Sequence, residues 1–480
     1  MSKSKAHILI FPYPAQGHML PLLDLTHQLS TRGLEEITIL VTPKNLPLLN
    51  PILSKNPSIQ TLVLPFPSHP SIPPGVENVK DLPAGGFRAM MYTLSNLRNP
   101  IKEWFRNHPS PPTAIISDIF LGWTNNLASE LGIPRYVFSP SGGLGYSIVC
   151  CLWSDLPKRK DPFNDGELVS FPKLPNCHVY PWWQISPVYR SFVASENDPI
   201  SMSIKETFFG NLASFGVVIN TCFELESVYL DHLKDVFGND RVWAVGPVLP
   251  FDDLSGRAER GGSSSILASD ILKWLDKCED QESVIYVCFG SQAVLTNEQM
   301  EALTLGLEKS GVKFILSVKG ATKGHKEAEK YGLIPSGFEE RVAGRGLVIK
   351  GWSPQVLILG HCAVGAFLTH CGWNSVLEGI EAGVPMLAWP MSADQFVNAT
   401  LVVDEMKIGV KVCEGDKAVP DSNDLAGILA NAIGGFQEER RRAKEMHKAA
   451  LNAVREGGSS FKNLEDLVLH FSEEASKSKN

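Results

Sequence analysis

The alternation of apolar strand segments with helical segments predicts an α/β protein built on two doubly wound parallel sheets. One alternating series occupies residues 7–246, and a second occupies residues 283–412. Between them, residues 247–265 are rich in proline, glycine, serine and charge, which is typical of an interdomain linker. A chain of 480 residues is also too long for one ordinary core. We therefore expect two facing domains with a cleft between them.

The first series begins with a buried strand at residues 7–13 (HILIFPY), followed by the loop PAQGH and an amphipathic helix to about residue 32. Pro21 is expected in the first turn of that helix, where proline is tolerated. Further strands are predicted at residues 37–43, 59–66, 113–118, 134–139, 216–220 and 241–246. A helix is predicted at about 123–131, a long loop at 65–87, and the least regular part of the chain at 140–210.

The second series has the same character. Its strands are predicted at residues 283–290, 313–318, 346–351, 366–370, 385–390 and 407–412, and its helices at 297–310, 437–456 and 461–473. These patterns predict an N-terminal domain at residues 1–246, a linker at 247–265, a C-terminal domain at 266–456 and a terminal helix within 457–480.

Composition excludes several classes of function. The net charge is −8 and no Lys/Arg-rich run occurs, so we expect no nucleic-acid partner. No stretch has the length of a transmembrane helix, and the apolar run near the N-terminus is too short for a signal peptide. Nine scattered cysteines suggest reduced thiols and a cytoplasmic location. Zinc-type cysteine spacings and D-x-D pairs are absent, so we expect neither a metal nor another cofactor.

A strand followed directly by a helix forms the centre of the C-terminal half. The sequence AFLTHCGWNSVLEGIEAG predicts a buried strand that ends at Thr369 and a helix that begins near Asn374. Such a turn directs backbone N–H groups and the positive end of a helix dipole beyond the carboxyl edge of the sheet, which makes an anion site. His370 and Gly372 lie at this turn, and Ser375 lies at the helix start.

The segment from Trp352 to Gln395 resembles the nucleotide-sugar signature of plant family 1 UDP-glycosyltransferases. The match comprises W-x-P-Q, H-C-G-W-N-S, E-G, G-V-P, W-P and a closing D-Q. The resemblance implies the GT-B fold, with two facing Rossmann-like domains and a final helix (457–480) packed back on the N-terminal domain. It also implies hexosyltransferase activity with a UDP-sugar as co-substrate.

His18 and Asp118 are the candidates for acid–base chemistry. Each follows or ends a predicted strand of the first sheet, and a neutral histidine can accept the proton of an attacking hydroxyl while a carboxylate supports the imidazolium. Alternatively, His18 is only a polar residue at a helix start and Asp118 only a helix N-cap. The resemblance favours the first interpretation, because the family's catalytic pair maps onto these two positions.

Candidate donor-site residues lie in or near the signature. Trp352 can stack on a flat base and Gln355 can bond base or ribose, although a core tryptophan beside a turn is the plainer alternative. Ser375 and Glu378 also match the S-x-x-E capping box and could serve only their own helix. The resemblance instead implies the following roles: ribose for Glu378; diphosphate for His370, Asn374, Ser375 and Ser291; sugar hydroxyls for Asp394 and Gln395.

The identity of the donor sugar rests on the resemblance alone. Glutamine at the last signature position, here Gln395, usually accompanies glucose, and Trp373 also matches the glucose users. Relatives that use UDP-rhamnose or UDP-xylose differ at few positions, so these donors remain alternatives. Attack opposite UDP predicts inversion to a β-glycoside.

The acceptor pocket is expected in the irregular segments of the N-terminal domain, where loops on a rigid sheet determine specificity. Aromatic lining there would suit a phenolic ring. The candidate acceptor residues are Phe87, Trp123, Ser141, Gly143, Trp183 and Tyr189. Phrases such as PAQGHMLPLLDLTHQL and SDIFLGWT resemble a plant subgroup that glycosylates flavonols and hydroxybenzoic acids.

We therefore predict a monomeric, cytoplasmic, metal-independent, inverting UDP-glucosyltransferase that acts on small phenolic acceptors. A sugar-nucleotide epimerase would lack the W-x-P-Q signature. A dinucleotide oxidoreductase would need G-x-G-x-x-G after the first strand, where PAQGHM stands. A small-molecule carrier could keep the pocket but would not need His18 paired with Asp118.

Overall fold

The structure is a computed structural model that describes residues 6–83, 85–248, 264–278, 280–320 and 330–477. The chain divides into two compact units. The first comprises Met1–Leu249 together with Asn452–Asn480, and the second comprises Pro250–Leu451. Most of the predicted linker, residues 249–263, lies outside the described part of the chain.

The first unit is built on a seven-stranded parallel sheet with the strand order β3-β2-β1-β4-β5-β8-β9. A separate antiparallel pair, β6 and β7, completes its strands. The bounds are β1 His7–Phe11, β2 Glu36–Val41, β3 Gln60–Val63, β4 Ala114–Asp118, β5 Arg135–Ser139, β6 Leu168–Ser170, β7 Val179–Pro181, β8 Gly216–Ile219 and β9 Val242–Ala244. Every residue of β1, β4, β5, β8 and β9 is buried, as expected for a sheet covered on both faces.

Helices connect these strands and cover the sheet. They are α1 Gln16–Thr31, α2 Asn50–Lys55, α3 Gly86–Ser95, α4 Arg98–Asn107, α5 Thr124–Leu131, α6 Gly143–Asp155, α7 Pro187–Ala194, α8 Pro199–Leu212 and α9 Phe223–Phe237. The predicted α1 is present, with Leu22, Leu25 and Leu29 all buried. Pro21 is the sixth residue of α1 rather than part of its first turn, because the helix begins two residues before His18. One backbone hydrogen bond of α1 is therefore missing.

The prediction that residues 140–210 are irregular was wrong in part. The segment contains the 13-residue helix α6 and the 14-residue helix α8. Helix α6 is buried on nearly every side, so its sequence, GLGYSIVCCLWSD, has no polar face and lacks the amphipathic period that reveals a surface helix.

The second unit is built on a six-stranded parallel sheet with the order β12-β11-β10-β13-β14-β15. Its strands are β10 Val284–Cys288, β11 Lys313–Val318, β12 Gly346–Lys350, β13 Val364–Thr369, β14 Met386–Ala388 and β15 Gly409–Lys411. The remaining helices are α10 Ala268–Asp276, α11 Asn297–Ser310, α12 Phe338–Arg341, α13 Gln355–Leu359, α14 Trp373–Ala382, α15 Gln395–Thr400, α16 Ser422–Ala432, α17 Gln437–Val454 and α18 Ser459–Lys477. Helix α15 continues into a π-helical turn, Leu401–Glu405.

Helix α18 packs within the first unit, against α1 and β9. The indole N–H of Trp243 donates to Asp466 at 2.7 Å, and the Phe471 ring packs edge-on against Tyr136 at 5.0 Å. The end of the chain thus completes the core on one side of the first sheet. Over the described residues, the structure contains no helix with the length and apolar character needed to cross a lipid bilayer.

Candidate active site

His18 and Asp118 lie close together at one edge of the first sheet. Strands β1 and β4 are parallel neighbours, with Phe11 opposite Ser117, so their carboxyl ends meet at the same edge. Asp118 is the last residue of β4, and His18 is the third residue of α1, which follows β1. Nδ1 of His18 lies 2.8 Å from Oδ2 of Asp118. Because a carboxylate can only accept, this nitrogen bears the hydrogen, and Nε2 of the neutral ring keeps its lone pair.

The two carboxylate oxygens of Asp118 have different partners. Oδ1 accepts the backbone N–H of Phe120 at 2.8 Å, which makes Asp118 the N-cap of the short 3₁₀ helix Ile119–Leu121. Oδ2 accepts from His18. The predicted partnership and the alternative capping role therefore coexist, and the cap fixes the carboxylate. The Asp118 side chain is fully buried while that of His18 is 19% exposed, so solvent reaches the histidine alone.

Aromatic rings surround His18. Its ring centroid lies 4.7 Å from that of Phe120 and 5.7 Å from that of Tyr13, and Phe87 contacts both of these rings. Phe87 is thus the acceptor candidate with the most direct ring contacts to His18, since one ring, that of Tyr13 or Phe120, lies between them. Sequence reasoning missed Tyr13 and Phe120, although both follow strand ends at the same edge as His18 and Asp118. Their position just after these strand ends was the signal that could have identified them as site residues.

The other acceptor candidates are spread over several elements. Trp123 is buried with its ring edge against Phe11, and Tyr189 is fully buried against Trp153 with its hydroxyl donating to the Pro157 carbonyl. Rings nevertheless connect Tyr189 to His18 indirectly, because Phe208 stacks on Trp153 and contacts Phe120.

The remaining three candidates lie elsewhere in the first unit. Ser141 precedes α6, and its carbonyl accepts the Ser139 hydroxyl at 3.2 Å. Gly143 begins α6, and its N–H donates to the Glu226 carboxylate at 2.8 Å. Trp183 is half-buried in the 3₁₀ helix Trp182–Gln184.

The turn His370–Gly372 joins β13 to α14 in the second unit, as predicted. A Cβ at either Gly290 or Gly372 would come within 2.6 Å of the His370 ring, so both positions require glycine. Burial lowers the pKa of His370 to about 4, and the ring is therefore neutral near pH 7. Among the described residues, its Nδ1 has no hydrogen-bond partner. A neutral ring of this kind can donate one N–H to an anion at the start of α14.

The backbone of this turn is held in an unusual conformation. Cys371 has a φ of 61°, which is uncommon for a residue other than glycine. Its N–H donates to the Thr369 hydroxyl at 3.1 Å, and its carbonyl accepts the side-chain amide of the buried Asn398 at 3.0 Å. Gly372 then occupies the N-cap position of α14. The first amides of α14 are thus presented at the carboxyl edge of the sheet, where anions bind in such folds.

Gln355 is the centre of a hydrogen-bond network beside α14. Its Nε2 donates to the Ser375 hydroxyl at 2.8 Å and to the Glu378 carboxylate at 2.5 Å. Its Oε1 accepts the Tyr286 hydroxyl at 3.3 Å, and that hydroxyl also bonds Ser353 at 2.6 Å. Tyr286 and Ser353 carried no signal in the sequence that linked them to Gln355.

The network excludes the capping-box alternative for Ser375 and Glu378. Helix α14 begins at Trp373, so Ser375 is its third residue and cannot be its N-cap. The two side chains meet Gln355 instead.

The remaining donor candidates also lie at or near this edge of the second sheet. Trp352 is half-buried after β12, and its indole N–H has no partner among the described residues. Ser291 follows β10, and its carbonyl accepts from Lys319. Oε1 of Gln395 accepts the N–H groups of Met391 at 2.9 Å and Ser392 at 3.0 Å. Asp394 and Asn374 are half-buried, whereas Trp373 is only 3% exposed.

The side chains of the described residues that could ligate a metal are dispersed. In the part of the chain that the structure describes, no three His, Cys, Asp or Glu side chains are grouped so that they could hold a metal ion.

Comparisons with known proteins agree on one family. Residues 266–433 match the family model described as "UDP-glucoronosyl and UDP-glucosyl transferase". The chain is 59% identical to UDP-glycosyltransferase 89B2 of Stevia rebaudiana, with 96% of this chain and 97% of the relative covered. It is 54% identical to a flavonol 3-O-glucosyltransferase of Arabidopsis thaliana, with 97% and 96% covered.

A solved structure also superposes over nearly the full length. The crystal structure of Arabidopsis thaliana UGT89C1 complexed with UDP-L-rhamnose has a TM-score of 0.80 and 39% identity, with 98% of this chain and 99% of that chain covered. The same relative has been solved with quercetin.

The two Rossmann-like units and their structural relatives define a glycosyltransferase of the GT-B fold. The chain belongs to the plant family 1 UDP-glycosyltransferases, as its relatives of 59% and 54% identity over nearly the whole length require. It is therefore an enzyme that transfers a sugar from a UDP-sugar.

Proposed function

We propose that this enzyme is an inverting, UDP-glucose-dependent O-glucosyltransferase of phenolic hydroxyls, with flavonols as the leading acceptor class and hydroxybenzoic acids as a second. His18 is the general base and Asp118 its partner. The observation on which the proposal rests is the 2.8 Å contact between a partly exposed histidine and a fully buried carboxylate.

The proposed chemistry begins at Nε2 of His18. Because Nδ1–H donates to Asp118, Nε2 is the basic nitrogen and can remove the proton of an acceptor hydroxyl as its oxygen attacks the anomeric carbon. The imidazolium that forms gains from the buried carboxylate behind it. Attack opposite the leaving UDP inverts the anomeric centre and gives a β-glucoside. The rings of Tyr13, Phe87 and Phe120 beside His18 suit a flat phenolic acceptor.

The proposed donor site is the carboxyl edge of the second sheet. The N-terminus of α14 and the neutral ring of His370 stabilise the charge that develops on the diphosphate. Glu378, held by Gln355, bonds the ribose, and Trp352 stacks on uracil. Asp394 and Gln395 bond the sugar. The proposed mechanism uses no metal ion.

The relatives support the acceptor class more strongly than the donor. A relative at 54% identity is a flavonol 3-O-glucosyltransferase, which favours a flavonol and glucose together. The structural relative at 39% identity was solved with UDP-L-rhamnose, so UDP-rhamnose is the second candidate donor. Gln395 and Trp373, which match the glucose users, favour glucose.

A mass-spectrometric transfer assay tests the proposal. UDP-glucose, UDP-rhamnose, UDP-xylose and UDP-galactose are each combined with quercetin, kaempferol and 2,5-dihydroxybenzoate, with EDTA and without added metal. We expect a product heavier by one hexose residue with UDP-glucose and a flavonol. His18→Ala should lower its kcat by roughly 1,000-fold, because general-base catalysis contributes on that scale.

His27→Ala is the matched control, since His27 lies on the same helix but bonds Asn56 instead of a carboxylate. It should keep kcat within about twofold of wild type. A product formed only with UDP-rhamnose would overturn the glucose assignment and leave His18 as base. Undiminished turnover in His18→Ala would remove His18 from the mechanism, and loss of turnover in EDTA would show that a metal is needed.

A further inference from the structure

Arg135, the first residue of β5, is more deeply buried than any other Arg or Lys among the described residues of the first unit. Its side chain is 1% exposed, and all five of its N–H groups donate. Nε donates to the Ser117 hydroxyl at 2.9 Å, and Nη1 donates to Asn211 at 2.8 Å and Ser214 at 2.7 Å. Nη2 donates to the backbone carbonyls of Ser117 at 3.2 Å and Asp118 at 3.1 Å. The guanidinium therefore lies directly behind the end of β4.

The charge of this guanidinium is not neutralised by its hydrogen-bond partners. All five accepting oxygens are neutral, and such bonds satisfy the N–H groups without supplying a counter-charge. Burial lowers the pKa of Arg135 to about 10, while the charge of Asp118 acts in the opposite direction. Arg135 thus stays protonated near neutral pH. Because a charge interaction is mutual, the Asp118 carboxylate is stabilised by the same cation.

We propose that Arg135 is a positioning residue for the His18–Asp118 pair. It fixes the end of β4, so that the Asp118 carboxylate meets Nδ1 of His18, and it supplies the buried positive charge that keeps the pair in its basic form. This inference rests on the proposed role of His18 as base. Arg135 itself touches no reacting atom.

The other titratable groups around the pair do not change charge near neutral pH. From the loop after β1, Tyr13 faces His18 and Asp118, and burial raises its pKa well above its usual value. From α6, Tyr146 interacts with Arg135, and burial raises its pKa in the same way. Burial also raises the pKa of the neighbouring Cys150 thiol. Arg135 also contacts Asn211 of α8 and Ser214 of the turn that follows α8, and neither of these side chains titrates. Removing the Arg135 charge should therefore act on the His18–Asp118 pair directly.

The test is the pH profile of kcat for Arg135→Met and Arg135→Lys. In wild type, kcat should fall at low pH, where the His18–Asp118 pair becomes protonated; this part of the profile is called the acid limb. Loss of the cation makes protonation of the pair easier, so in Arg135→Met the acid limb should move to higher pH by about one unit. Its kcat should fall roughly tenfold at pH 6 and less at pH 8. Arg135→Lys keeps the charge, so its acid limb should stay at the wild-type pH even if kcat falls. A purely structural role would lower the amount of folded enzyme without moving the limb.

Arg345→Met is the matched control. Arg345 likewise donates to neutral oxygens, in its case the backbone carbonyls of Leu307, Glu308 and Val312, but it belongs to the second unit. That variant should lose stability and leave the acid limb in place.

If Arg135→Met fails to fold, Asn211→Asp makes the same test. It places an anion where Asn211 now lies 2.8 Å from Nη1, so it neutralises the guanidinium without removing it. We again expect the limb to move to higher pH. An unmoved limb in every folded variant that lacks or neutralises the cation would overturn the inference, provided that His18→Ala is inactive. Full turnover in His18→Ala would instead overturn the proposed base.

Discussion

Gln395 illustrates how backbone contacts fix the orientation of a single side chain. Its Oε1 accepts two backbone N–H groups, from Met391 and Ser392, so the carbonyl end of the amide must point at the backbone. Only the –NH₂ end remains for other partners. If Gln395 contacts the donor sugar as proposed, it does so as a hydrogen-bond donor. Its specificity then depends on the hydroxyl lone pairs that the sugar presents.

His370 leads to a prediction about pH and stability. Burial lowers its pKa to about 4 in the folded protein, against the ordinary histidine value of 6.5. The unfolded chain therefore binds more protons between these two values, so the free energy of unfolding rises with pH across that range. The contribution of neutral His370 to the free energy of unfolding is fully present above about pH 6.5 and is lost as pH falls towards 4. His370→Asn should flatten this dependence, by up to about 3 kcal/mol between the two limits.

Chemical denaturation of wild type and variants at a series of pH values measures the effect. Asn374→Ser is the control, because Asn374 is the second residue of α14, directly after the same turn, and its amide does not titrate. That variant should keep the slope of wild type. An equal slope in wild type and His370→Asn would mean that His370 is protonated as readily in the folded protein as in the unfolded chain.

At the scale of elements, α6 depends on a carboxylate supplied by another helix. Its N-cap, Gly142, has no side chain, and the N–H groups of Gly143 and Leu144 donate to the Glu226 carboxylate at 2.8 and 2.9 Å. Glu226 belongs to α9 and is 1% exposed. Its negative charge thus lies at the positive end of the α6 dipole, where it is most favourable. The bonds also hold the segment that contains the acceptor candidates Ser141 and Gly143.

We expect Glu226→Gln to destabilise the first unit by about 2–3 kcal/mol. The substituted amide can accept only one of the two N–H groups, and its –NH₂ leaves the other buried donor unsatisfied. Thermal unfolding measures the loss. Glu224→Gln, on the exposed side of the same helix, should change stability by less than about 0.5 kcal/mol. Similar stability of wild type and Glu226→Gln would show that the carboxylate is not needed as a cap.

The helices that were predicted from the sequence differ from the missed helix α6 in the exposure of their faces to solvent. Helices α1 and α11 have one apolar face and were predicted close to their observed bounds. Helix α6 is apolar all round and therefore presents no distinct apolar stripe. Helix α4, with the sequence RNPIKEWFRN, does present one, at Ile101, Trp104 and Phe105, which sequence reasoning overlooked. Strands of both sheets were predicted because most of them are short apolar runs between turns, and the central ones are fully buried.

Across the whole molecule, topology was predictable and side-chain networks were not. The alternation of strands and helices implies parallel sheets whose carboxyl ends share an edge, which is why His18 and Asp118 could be paired from sequence. The bonds of Gln355 to Tyr286, Ser375 and Glu378 depend on side-chain directions that no spacing in the chain encodes. Arg135 was missed for the same reason.

The division into units leads to a prediction about cooperativity. Helix α18 contributes Leu464, Leu467, Phe471 and Ala475 to the core of the first unit. In the chain, the second unit separates this helix from the rest of the first unit. Phe471→Ala removes a ring that is 1% exposed and packs against Tyr136, so it should cost about 3–5 kcal/mol. Because the loss falls within the first unit, only the unfolding transition of that unit should move to lower temperature.

Differential scanning calorimetry, with and without UDP, separates the two transitions, since UDP should raise the transition of the unit that binds it. Leu469→Ala is the control, because Leu469 is on the same helix but 62% exposed, and it should leave both transitions unchanged. A fall of both transitions in Phe471→Ala would show that the units unfold as one cooperative body. A fall of neither would mean that the Phe471 ring adds little to the stability of the first core.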